Sequence, residues 1–209
     1  MKQHELNDLC IAQRHEIYTQ RRTINEQNKD IIKKDRLISN LAKKVNNNNK
    51  QLNNMKNKTI IVDLDGTIAN IDQRRKESQT KDNKINWDKF FNPQLVLKDK
   101  PNTPIINLLN ILKDKYNIII TSGRLETTEK ATLKWLNKHK VPYNKIYMRK
   151  VGDRKPDDKL KEQMLFNDVL PNCNNDINNI EFVLDDRNSV VEKWRELGLT
   201  CLQVDRGDF

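Results

Sequence analysis

Glycine and proline are scarce in this 209-residue chain, with five and six copies, and neither occurs before Gly66 and Pro93 respectively. Without a helix breaker, the first ~55 residues are expected to form one long helix. Cysteine is equally sparse. Cys10, Cys173 and Cys201 lie far apart with no C-x-x-C pair, which excludes a disulfide framework or zinc knuckle and fits a reducing compartment. Long apolar runs are missing too. Segments such as Ile118-Ile119-Ile120 are far too short to span a bilayer, and the start MKQHELNDLC lacks the apolar stretch of a signal peptide. A cytoplasmic protein is expected. The mean hydropathy is −0.89, and the length suits one ordinary core plus something smaller.

What is abundant is positive charge, with a formal net of +10 and a pI near 9.4. Clustered Lys and Arg release counterions on meeting phosphates, so nucleic acid is the natural partner. Coding bias toward Lys, Asn and Ile, with most lysines on solvated faces, accounts for the same number. Charge alone does not choose between them.

In the first segment Cys10, Ile17, Ile24, Ile31, Ile38, Val45 and Leu52 recur every seventh residue, the spacing of one edge of a coiled-coil seam. The other edge is weaker. Of Leu6, Gln13, Gln20, Gln27, Lys34, Leu41, Asn48 and Met55, only Leu6, Leu41 and Met55 are apolar. A locally polar coiled coil, and with it a homo-oligomer, stands beside a lone charged helix. Asn46 to Asn49 and Asn53-Asn54 read as fraying or linker, because asparagine competes for its own backbone.

From Thr59 the pattern alternates. Strands are expected at 59–63, 117–121, 146–148, 180–184 and 199–204, and helices at 104–115, 125–139, 157–170 and 188–197. This succession predicts an α/β fold: a Rossmann-like, three-layer α/β/α domain with a parallel sheet, over 58–209, preceded by a helical segment over 1–57. Residues 68–100 form a small insertion after the first motif. Its aromatics Trp87, Phe90 and Phe91 read as core rather than as a base-stacking surface.

Ligand sites of parallel sheets lie beyond the carboxyl ends of the strands. Asp63 and Asp65 follow one apolar run, Ser122 and Arg124 a second, and Asp185-Asp186 a third. Carboxylates this close repel, so a bound cation is expected, and all-oxygen ligands without histidine point to magnesium rather than zinc. Asp63 and Asp65, two apart in extended chain, point to the same side. One can attack phosphorus; the other can protonate the leaving oxygen and then activate water. Gly66 permits the turn and Thr67 brings a hydroxyl near the phosphate. A calcium loop would need Glu where Arg74 stands, twelfth from Asp63.

The DLDGT, TSGR and LDDR strand ends resemble the motifs of the haloacid dehalogenase phosphatase superfamily. More narrowly, the stretches from WDKFFNPQ to TSGR, from MRKVGDRKPDDK to EQML, and from LDDRNSVV to RGDF resemble the 3′-phosphatase domain of the tailed-phage polynucleotide kinase/phosphatase. The likeness covers 59–209. It implies Asp63 as nucleophile, Asp65 as general acid/base, Ser122 as a holder of a phosphoryl oxygen, and Arg74 and Arg124 as phosphate donors, with Arg75 as an alternative to Arg74. It implies Asp157 and Lys161 as a functional pair through D-D-x-x-K, although Lys155-Pro156 also resembles the superfamily's lysine motif. Magnesium would be held by Asp63, the Asp65 backbone carbonyl, Asp185 and Asp186, while Arg187 would pair with a neighbouring acid. No G-x-x-x-x-G-K-[ST] occurs among these residues, so no kinase phosphate loop is present in them. The composition is compatible with an AT-rich genome such as a virus.

The expected activity is therefore removal of 3′-phosphates from DNA or RNA ends in the cytoplasm, the host's if the source is viral. The competing readings are a small-molecule phosphatase or nucleotidase on the same fold and an oligomeric binding protein carrying the core as a scaffold.

Overall fold

The computed structural model describes the backbone of residues 3–56 and 58–207, and the side chains of residue 16, residues 19–48 and residues 58–207. Two compact units result, Met1–Gln51 and Leu52–Phe209.

A single helix, α1, runs over Gln3–Lys56 and makes up the described part of the first unit. It continues through the Asn46 to Asn49 run and Asn53-Asn54, which were expected to fray. Asparagine is a mediocre helix former, not a breaker, and no glycine or proline intervenes. The heptad residues Ile24, Ile31, Ile38 and Val45 are all more than half exposed; Cys10, Ile17 and Leu52 lie outside the described side chains. Among the described residues no helix is long and apolar enough to cross a membrane.

After α1, the second unit continues with strand β1 (Thr59–Val62). The insertion follows with β2 (Ala69–Asn70), α2 (Asp72–Ser78), α3 (Trp87–Phe90), α4 (Pro93–Val96) and β3 (Lys100–Pro101). Its helices span only seven, four and four residues, too few turns to show a periodicity in sequence. β2 and β3 pair antiparallel and close the insertion at its base.

Next come α5 (Thr103–Leu112), β4 (Asn117–Leu125), α6 (Glu129–Lys138), β5 (Lys145–Arg149), α7 (Asp157–Met164), β6 (Ile180–Arg187), α8 (Asn188–Glu196) and β7 (Cys201–Gly207). The helix expected over 157–170 departs from α geometry after Met164. A π-helical turn covers Leu165–Val169 and a 3₁₀ turn Leu170–Cys173. Pro171 has no N–H for the α ladder, and Asn174 and Asn175 take left-handed angles that end it.

The main sheet has the order β5-β4-β1-β6-β7, and every pair in it is parallel. β1 lies at the centre, which is why Thr-Ile-Ile-Val has no polar face: all four residues are buried. Alternate side chains feed opposite layers. Ile60 and Val62 join Leu109, Trp135 and Leu136 on one side. Ile61 joins Val183, Val190 and Trp194 on the other. Each fully buried aliphatic side chain contributes about 1.5–3 kcal/mol, so the centre of the sheet is rigid where its strands end.

Candidate active site

β1 delivers Asp63 to the end of the sheet, and the Asp63 amide still bonds the Leu184 carbonyl at 2.8 Å. The chain then turns sharply. The Leu64 carbonyl accepts from both Ile68 and Ala69, and Gly66 donates to Ala69. Gly66 has φ of +95°, and a Cβ there would lie 2.1 Å from Asp186 Oδ2. A glycine is required on both counts: the backbone angle, and the room it leaves for the carboxylate.

Asp63, Asp185 and Asp186 are buried, and each offers an oxygen within 4.8 Å of those of the others. Lys161, from α7, is 2 % exposed. Its ammonium lies 2.5 Å from Asp63 Oδ1, 2.5 Å from the Thr121 carbonyl and 3.6 Å from Asp185. Burial alone would lower the Lys161 pKa, but Asp63 and Asp185 outweigh it and raise it, so this lysine is a permanent cation. Lys155, the alternative, is exposed and pairs with Asp153. One lysine does not neutralise three acids. Burial, despite Lys161 and aided by Asp185 and Asp186, pushes Asp63 well above the usual carboxylate range. Burial and Asp185 push Asp186 up to about 6. Such a crowd of oxygen donors is the setting in which a hard divalent cation relieves repulsion.

Asp65 has the opposite surroundings. Burial would raise its pKa, but Arg124 and Arg74 overcome that and bring it down to about 2. Arg124 reaches Asp65 Oδ1 through Nε at 2.7 Å and Nη2 at 2.5 Å, and Arg74 through Nη2 at 2.6 Å. Both guanidiniums also grip Asp99, at 2.8 Å from Arg124 and 2.9 Å from Arg74. The remaining donors go to Thr132 and the Phe90 carbonyl. These arginines, expected to aim at phosphate, are instead buried and turned onto two carboxylates. The Thr67 hydroxyl likewise donates to Asp186 at 3.2 Å, and Ser122 Oγ, also buried, accepts from the Arg124 amide at 3.2 Å.

Asp157 begins α7 and is bracketed by ion pairs from Arg149 and Arg187; Arg187 thus pairs with an acid, as expected of it. Arg149 also donates to the Gly123, Asp153 and Lys155 carbonyls, tying the β4 and β5 ends together. Sequence reasoning missed Arg149, Asp99, Thr121 and Trp194, whose Nε1 donates to Asp185 at 3.2 Å. Arg149 follows the strand expected at 146–148, so the strand-end rule applied to Asp63 would have found it. Asp99 carries no local signal.

The site opens into a cleft of about 760 Å³ with Asp63, Asp65, Asp185 and Asp186 on its lining. Arg75, Arg154 and Lys155 also line it, as do Trp87 and Phe91 of the insertion. Trp87, expected as core, is 57 % exposed, whereas Phe90 is buried.

The model of the polynucleotide kinase PNKP phosphatase domain matches residues 57–209. A chain in the structure of the Pnkp1/Rnl/Hen1 RNA repair complex is 31 % identical, with a TM-score of 0.59 over 73 % of this chain and 43 % of that one. The present chain therefore spans less than half the length of that relative. A haloacid dehalogenase-like hydrolase, SP0104 from Streptococcus pneumoniae, shares the fold at 16 % identity, with a TM-score of 0.51 over 70 % of this chain and 83 % of that one. The match runs over well more than half of the sequence, and the chain belongs to the polynucleotide kinase PNKP phosphatase domain family of haloacid dehalogenase-type phosphatases.

Proposed function

We propose that this phosphatase is a magnesium-dependent phosphomonoesterase that removes 3′-phosphates from DNA or RNA ends through an aspartyl-phosphate intermediate. The observation that carries the chemistry is the Asp63 carboxylate on the cleft wall, with Lys161 at 2.5 Å and two more carboxylates within reach of one ion. Asp63, Asp185 and Asp186, with the Asp65 carbonyl, are the residues that would hold Mg²⁺. The ion would offset the charge of carboxylates and phosphate at once.

Asp63 attacks phosphorus, and the bond from phosphorus to the 3′ oxygen breaks. Lys161 offsets the phosphoryl charge. Water then attacks the same phosphorus, the bond to Asp63 breaks, and inorganic phosphate leaves. Asp65, kept ionised in the free protein by Arg124 and Arg74, is suited to accept the proton of that water. A phosphomonoester has a second pKa near ~6, so a substrate bound as the monoanion brings a proton that Asp65 can relay to the leaving 3′ oxygen. Arg74 and Arg124 act through Asp65, which they orient, rather than on phosphate. Thr67 orients Asp186, Asp157 lines the cleft, and Ser122, which is buried, is assigned to a phosphoryl oxygen by the family resemblance alone.

The 3′-end reading rests on the family, on 31 % identity to a chain of an RNA repair complex and on the net charge of +10. The exposed heptad residues of α1 support assembly with a second copy, separate from the chemistry. Cys173 and Cys201 are free thiols, in keeping with action in a reducing cytoplasm.

The test compares phosphate release from a 3′-phosphorylated oligonucleotide and from a 3′-mononucleotide, with magnesium and with excess EDTA. Faster release from the oligonucleotide, weakened selectively by salt and abolished by EDTA, is expected. Equal rates without a differential salt effect would favour a small-molecule phosphatase, and full activity in EDTA would contradict the metal requirement.

A further inference from the structure

The cleft is larger than a phosphate group requires. At about 760 Å³ it falls within the roughly 300–1,000 Å³ of clefts that take a ligand with a ring system. Its polar floor and its insertion wall also differ in character. Trp87 is 57 % exposed, while Trp135 and Trp194 are fully buried; an exposed tryptophan beside a catalytic floor calls for an occupant.

The Trp87 ring is held in place. It stacks on Phe91, with centroids 5.9 Å apart and planes at 23°, and meets Phe90 edge-on at 5.5 Å. Phe90 in turn carries the Arg74 guanidinium 4.3 Å from its centroid. Because Arg74 also grips Asp65, the wall and the catalytic floor share one fixed element. Asn86 caps α3 by accepting from the Lys89 amide at 3.0 Å, which fixes the turn that presents the indole.

We infer that Trp87, backed by Phe91, is the stacking platform for the nucleobase of the 3′-terminal nucleotide, with the phosphodiester backbone running along Arg154 and Lys155. Both basic residues are exposed and line the same cleft. Asp88, beside Trp87 on the lining, repels a backbone phosphate and so favours the aromatic wall for the base and the basic side for the strand. Aromatic faces accept any base, so the site would be indifferent to sequence. This inference rests on the 3′-end reading and adds which part of the substrate is recognised.

The experiment uses the full chain and two oligonucleotides, each ending in a 3′-phosphate, one with a normal terminal nucleotide and one whose terminal sugar is abasic. The wild type should favour the base-bearing end by about tenfold or more in kcat/KM, mostly through KM. Trp87→Ala should collapse that ratio to near one, and Trp87→Phe should keep most of it. Binding to the inactive Asp63→Asn protein should quench tryptophan fluorescence with the base-bearing end more than with the abasic one, since Trp87 is the exposed indole. A wild type indifferent to the terminal base, or an unchanged ratio in Trp87→Ala, would overturn the platform while leaving the 3′-end reading standing. Release from mononucleotides but from neither oligonucleotide would overturn both.

Discussion

Lys161 holds its ammonium 2.5 Å from the Asp63 carboxylate, and both groups are buried. The pair joins the end of β1 to the last turn of α7, two elements almost a hundred residues apart in sequence. Among the described residues it supplies the one lysine ammonium paired with Asp63 and Asp185, so its loss should be felt twice. Lys161→Met should lower phosphate release by roughly a hundredfold or more, the order lost with one aimed charge donor. It should also raise the magnesium concentration needed for half-maximal activity, because repulsion among Asp63, Asp185 and Asp186 deforms the site. A loss under threefold would remove Lys161 from the mechanism.

Arg124 is fully buried and bonded to Asp65, Asp99 and Thr132. Removing one partner of a buried ion network leaves charge uncompensated, at a cost of about 3–5 kcal/mol. Arg124→Ala should therefore be markedly less stable to urea as well as less active. An inactive variant of unchanged stability would instead mean that Arg124 touches substrate and is not a holder of Asp65.

Two carboxylates share the two guanidiniums, with opposite outcomes. Asp65 stays ionised, while burial raises Asp99 from 3.8 to about 6 against the pull of Arg74 and Arg124. The folded protein thus takes up the Asp99 proton at higher pH than the unfolded chain does. The resulting stability is fully present below 3.8 and lost as pH rises to about 6. Asn at this position has no such dependence. The stability of the wild type relative to Asp99→Asn should accordingly fall between pH 4 and 6, by up to roughly 3 kcal/mol. Urea melts of both proteins across that range check it, and a flat difference would show that Asp99 does not titrate there.

Gly66 tests the cation site by shape. Alanine at φ of +95°, with its Cβ 2.1 Å from Asp186 Oδ2, must displace that carboxylate. Gly66→Ala should lose at least about tenfold in activity and bind magnesium more weakly by calorimetry. Wild-type magnesium affinity would show that Asp186 is not a ligand.

The sequence was most legible where an apolar run ends in acids. Asp63, Asp65, Asp185 and Asp186 announce themselves because a buried central strand has no polar residue until it leaves the core. The longer helices α5, α6, α7 and α8 were legible as well, each long enough to bury one face, as Ile106 and Leu109 do on α5 and Trp135 and Leu136 on α6. The short insertion helices were not, since seven, four and four residues make two turns at most and show no period. Nor was the exposure of Trp87, which depends on what other segments leave uncovered, or the place of Asp99, which the folding of residues 68–100 brings to Arg74 and Arg124. Arg124 was found at a strand end and Arg74 by resemblance, but their orientation toward Asp65 comes only from tertiary structure.

If Asp63 attacks phosphorus, near-isosteric removal of its charge must stop turnover without unfolding the protein. Phosphate release from a 3′-phosphorylated oligonucleotide in magnesium should fall by about three orders of magnitude or more in Asp63→Asn, with the far-UV spectrum and urea midpoint showing an intact fold. Release within a few-fold of the wild type by a folded Asp63→Asn protein would contradict the account.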